Sequence, residues 1–178
     1  MLTATIQFKP TYQIEGALLV NGFKNSKESY VLETKQRKEL VRAEVRTDEV
    51  LFTFPGNLGM GEYETVHEAL KNVLEASGGS IDDSNSLLGY LPNGEGAYII
   101  HQFRAWTTFL LTAKHHSMKG QKVQVLDQAG RVMGEGLLMD YELEESHSFS
   151  VSKCTLVTTF GEQSYTGKHL KIEPTGSW

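Results

Sequence analysis

The sequence predicts an α+β fold, antiparallel and β-rich, with two central helices and a C-terminal four-strand β meander of small-barrel type. Three observations carry that prediction. Short alternating apolar segments with turn residues between them fill the first third, and two stretches of helical periodicity occupy the middle. Four closely spaced strand patterns then fill the last ~50 residues, which suits an SH3-like barrel or a sheet packed on a helix. At 178 residues the chain reads as a single compact unit, 1–178. The alternative is a subdivision into 1–96, β-rich plus a helix, and 97–178, a helix plus the meander. A chain of this length buries about 70 % of the surface its unfolded form exposes, so it needs no staples.

The first strand signal is the alternation of Ile6, Phe8, Tyr12 and Ile14 with polar residues. Ala17-Leu18-Leu19-Val20 follows as a continuous apolar run, read as a strand and stopped by Asn21-Gly22, a pair suited to a tight hairpin. Strands are predicted at 29–34, 40–46 and 50–54, the last ended by Pro55-Gly56. In the middle one Val41, Ala43 and Val45 alternate with Arg42, Glu44 and Arg46, giving one apolar and one charged face. Such a strand reads as a sheet edge protected by its charge.

Tyr63, Val66, Leu70, Val73 and Leu74 fall at helical spacing. Acidic residues occupy the first turns, where the helix dipole favours them, and Gly78-Gly79 supplies the stop. Residues 77–96 read as a loop with a short interruption at 87–91. Ile99, Phe103, Trp106 and Leu110 repeat the helical spacing, so a second helix is predicted over 97–118, although Ile99-Ile100 and Thr107-Thr108 also suit strands. The meander runs from Gln121. Gly134 and Gly136, two apart inside one strand, mark a bend or bulge of the kind barrel corners use.

Several classes of chemistry are excluded by pattern. No glycine-rich nucleotide loop and no Gly-x-Ser-x-Gly elbow is present. Cys154 is the only cysteine and sits in a strand-like segment, so it reads as a packed, inert thiol. Asp82-Asp83-Ser84-Asn85-Ser86 offers oxygens without calcium-loop spacing and reads as a turn or cap. Glu64-x-x-His67 and Glu144-x-x-His147 share the spacing of di-metal proteins but lack the helical bundle those sites need. No metal or cofactor is expected. The N-terminus lacks a secretory pattern and no stretch is long enough to span a membrane, so the expectation is a protein of the cytoplasm.

Charge is segregated along the chain. Residues 1–46 carry 8 Lys/Arg against 5 Asp/Glu, and residues 47–100 carry 1 against 9. Residues 101–122 carry 4 against 0, and residues 123–178 carry 4 against 8. Blocks of this kind steer partners even at modest net charge. The basic segment holds Arg104, Lys114, His115, His116, Lys119 and Lys122, a candidate anion or acidic-protein site whose rival is neutralisation by the 47–100 block. Arg42 and Arg46 form a second candidate, a two-tooth comb for phosphates or carboxylates.

These readings converge on a non-catalytic binding protein, an accessory or inhibitory regulatory factor that docks on a larger protein or nucleoprotein through charged patches. Direct nucleic-acid binding through 101–122, joined by Arg42 and Arg46, is the first alternative. The second is a small nuclease or hydrolase whose site is assembled only by folding, from His67, His101, His115, His116, His147 or His169 with a carboxylate.

Overall fold

The structure, a computed structural model, describes residues 1–144 and 149–176. It is mixed α and β, with mostly antiparallel sheets and a closed four-stranded barrel. The chain divides into two compact units, Met1–Trp106 and Thr107–Trp178.

In the first unit the elements are β1 (Leu2–Gln7), α1 (Ile14–Val20), β2 (Lys24–Ser26), β3 (Ser29–Glu33), β4 (Glu39–Val45) and β5 (Glu49–Phe54). They are followed by α2 (Met60–Ser77), β6 (Ser80–Asp82), β7 (Gly89–Tyr90) and β8 (Gly96–Ala97). The main sheet has the order β2-β3-β4-β5-β1-β6, and β7 pairs with β8 as a separate ribbon. Register explains the packing at its centre. Phe52 of β5 lies opposite Ala4 of β1 on one side and Ala43 of β4 on the other, so two small residues make room for one buried ring. Ile6, Val41, Val50 and Phe54 complete the buried face.

Helix α2 matches its prediction. Val66, Leu70 and Val73 are fully buried, as helical spacing requires. Glu62 Oε2 accepts from the Gly59 N–H at 2.8 Å, and Gly78 closes the helix in the left-handed region at φ 59°.

Two elements differ from the expectation. Residues 14–20 form a helix, not a strand: Ile14, Ala17 and Leu18 are buried at i, i+3 and i+4 while Leu19 and Val20 are exposed. A helix can hide one face of a continuous apolar run, and Asn21 ends it by donating from Nδ2 to the Ala17 carbonyl at 2.8 Å. Strand β4, read as an edge, lies between β3 and β5. Its charges therefore do not guard an open ladder.

Helix α3 (Phe103–Ser117) contains the boundary between the units and starts six residues later than predicted. Residues 98–102 form a turn whose backbone groups are claimed by side chains, as described below. The second unit continues with β9 (Lys122–Leu126), β10 (Val132–Leu143), β11 (Val151–Thr158) and β12 (Gly161–Pro174). These close as β10-β11-β12-β9. Val123, Val125, Leu138, Cys154, Leu156 and Ile172 fill the interior with Met118. Closing so small a ring requires sharp bends, and β10 supplies one where its register to β9 shifts between Val132 and Gly134.

Candidate functional site

Three cations of the basic segment 101–122 have acids of their own unit beside them. Arg104 lies 3.7 Å from Glu68. Lys119 bridges Asp140 at 2.6 Å, and its hydrogen bond holds the Asp140 carboxyl below the usual carboxylate range. Lys122 bridges Glu135 at 2.7 Å. The acids that neutralise these two lysines thus come from β10 of the same unit, and not from the 47–100 block. His115 is buried: its Nδ1–H donates to the Leu111 carbonyl at 2.8 Å and its ring packs 4.6 Å from Phe149. Burial pushes its pKa down, so the ring is neutral near pH 7. Lys114 and His116 are exposed on the last turn of α3.

The arginine comb is also engaged. Arg42 donates from Nε and Nη2 to both oxygens of Glu39, at 3.1 and 2.6 Å, and from Nη1 to Ser29 Oγ at 2.9 Å. Arg46, just beyond the strand, pairs with Glu49 at 2.5 Å. Both line one hollow together with Lys27 and Glu44, so they do share a face, but each brings its own counter-ion.

Sequence reasoning missed a buried polar relay in the first unit. The Asp83 carboxylate is buried and accepts from the backbone N–H groups of Ile100 and His101 at 2.8 and 2.9 Å, and from His101 Nδ1–H at 2.5 Å. Ser86 Oγ donates to the Asp83 carbonyl at 2.7 Å and accepts from the Ile99 N–H at 3.0 Å. His67 Nδ1–H donates to the Ile99 carbonyl at 2.6 Å, and its ring stacks 4.2 Å from Phe103. Desolvation lowers the His67 pKa, and Nε2 is buried without a hydrogen-bond partner. These contacts hold 98–102 out of the helix. The signal was present in Asp82-Asp83-Ser84-Asn85-Ser86, where one acid caps a distant turn instead of its own. Ser86 is fully buried and gives its hydroxyl proton to the Asp83 carbonyl.

Of the remaining histidines, His147 lies outside the described residues, which leaves only Glu144 of the second Glu-x-x-His motif described. No cluster of three or more His, Cys, Asp or Glu among the described residues could hold a metal ion. No helix among them is long and apolar enough to cross a membrane.

Two hollows on the barrel remain. The first, about 610 Å³, is lined by Gly136, Leu137, Val157, Phe160 and Tyr165, with the Lys122–Glu135 pair also lining it. Phe160 occupies the β11–β12 turn and is 89 % exposed. The second, about 350 Å³, is lined by Lys114, His115, Phe149, Ser150, His169 and Lys171 among others. It brings two members of the predicted basic cluster, Lys114 and His115, together with residues from β12 that sequence proximity could not connect. Compared with protein-family models, curated proteins and solved structures, the chain matches none of them.

Proposed function

We propose that the chain is a non-catalytic binding protein that docks on a larger protein through the β11–β12 end of its barrel. The observation that carries this reading is Phe160, an aromatic ring 89 % exposed beside an apolar hollow. An exposed ring of this size costs solubility, and aromatic anchors seated against pockets dominate protein interfaces. The charged patches expected to dock have a different part: Arg104, Lys119, Lys122, Arg42 and Arg46 are each occupied by an acid of their own unit. They orient an encounter more than they hold it. We take the compartment to be the cytoplasm, where a single buried thiol needs no disulfide partner.

The test is capture from the native host followed by reconstitution with the purified, identified partner. Binding should persist at high salt, since burial of apolar surface is not screened. Phe160→Asp should abolish it, and Lys119→Gln with Lys122→Gln should not. A Phe160→Asp protein that folds and still binds the partner at full strength ends this reading.

A further inference from the structure

The second hollow combines cationic and aromatic side chains. Lys114 comes from the last turn of α3, His169 and Lys171 from β12, and Ser150 and Phe149 from the segment leading into β11. Lys114 and Lys171 are exposed, and neither makes an ion pair to a described residue. That sets them apart from Lys119, Lys122 and Lys153 of the same unit, each of which has a carboxylate within 2.7 Å. One acid lines the hollow, Glu173, whose carboxylate accepts from Gln124 Nε2 at 3.2 Å.

His169 is held in an uncommon backbone conformation. Its φ is 53°, in the left-handed region that non-glycine residues rarely occupy. The cause is local: pairing of β12 with β11 shifts register between Val151 and Lys153, and the extra residues around 167–169 bulge out. Ser150, itself 4 % exposed, lies with its Oγ 2.9 Å from His169 Nδ1. With the hydroxyl donating to Nδ1, the ring carries its proton on Nε2, where it is a donor. The bulge and the buried hydroxyl together fix the His169 ring at the hollow.

We propose that this hollow binds a nucleotide unit, its phosphate between Lys114, His169 and Lys171 and its base against Phe149, which the buried His115 ring backs at 4.6 Å. Cations beside aromatic rings are the chemistry of single-stranded nucleic-acid binding, whereas a phosphopeptide would need the cations alone. The volume of about 350 Å³ falls at the small end of the ~300–1,000 Å³ range for small-ligand pockets, the size of one unit and not of a duplex groove. The proposal is independent of docking through Phe160.

Fluorescence anisotropy on the full chain tests it, with a labelled single-stranded oligonucleotide, while a nucleoside monophosphate and inorganic phosphate compete. Two lysines on a single strand give a salt slope of about −1.4, so affinity should weaken roughly sevenfold between ~50 and ~200 mM salt. Competition by the monophosphate would identify a free nucleotide as sufficient, and competition by the strand alone would identify a polynucleotide. Lys114→Glu with Lys171→Glu should remove binding, and Arg46→Glu, in the first unit, should not. On the wild-type protein, NMR titration should shift the His169 ring signals first. No binding of either nucleotide probe, equal competition by inorganic phosphate, an unmoved His169, or undiminished binding in the double variant overturns the proposal.

Discussion

Asp83 shows how a single side chain can reset local structure. Its carboxylate takes two backbone N–H groups that would otherwise open α3. Asp83→Ala should therefore cost about 1–3 kcal/mol for each donor left unsatisfied, measured by denaturant unfolding. A variant as stable as the wild type would show that water replaces the carboxylate. His67 and His115 set an acid limit. Burial lowers both pKa values below the ordinary 6.5, so the unfolded chain takes up protons there that the folded protein refuses. Stability should accordingly be full above pH ~6.5 and fall as pH drops below it, levelling once the folded state also protonates. His67→Gln should flatten that acid slope in melts run between pH 5 and 7.5. Cys154 lies in the barrel interior, where desolvation raises its pKa to about 11. Native protein should resist alkylation at neutral pH and react fully once unfolded; a fast native reaction would mean that the barrel opens.

Among the elements, α2 was the most legible, because its apolar positions recur at one helical face and its stop is a glycine pair. Leu70 lies fully buried on that face, so Leu70→Ala should cost about 2–5 kcal/mol. An unchanged melting temperature would contradict the register. Gly136 was legible only as a bend. A Cβ there would stand 2.5 Å from the Val157 carbonyl oxygen on the neighbouring strand, a backbone atom that cannot swing away. Gly136→Ala should cost about 1–3 kcal/mol by overpacking, and proteolysis should find the loosened β10–β11 pair. Helix α1 was misread because a run of four apolar residues is compatible with either period, and its true period shows only in which residues meet the core. The first turns predicted for α3 failed for another reason: Asp83, 17 and 18 positions upstream, captured two of their donors.

For the whole molecule the charge blocks remain real as sequence and change meaning on folding. Ion pairs at 2.6 and 2.7 Å tie Lys119 to Asp140 and Lys122 to Glu135, residues too far apart along the chain for any local pattern to join. Exchanging these two lysines for glutamine should leave the melting temperature nearly unchanged, since exposed pairs contribute little. A large loss would mark the pairs as structural. The α+β class, the α2 register, the barrel-like meander and the burial of the cysteine were determined by the sequence itself, because hydrophobic period and turn chemistry are local properties. Tertiary structure alone decided which cations are neutralised, which acid caps which turn, and that Lys114 shares a hollow with His169 and Lys171. Those outcomes depend on distances between residues remote in the chain, and only closure of the sheet and the barrel sets them.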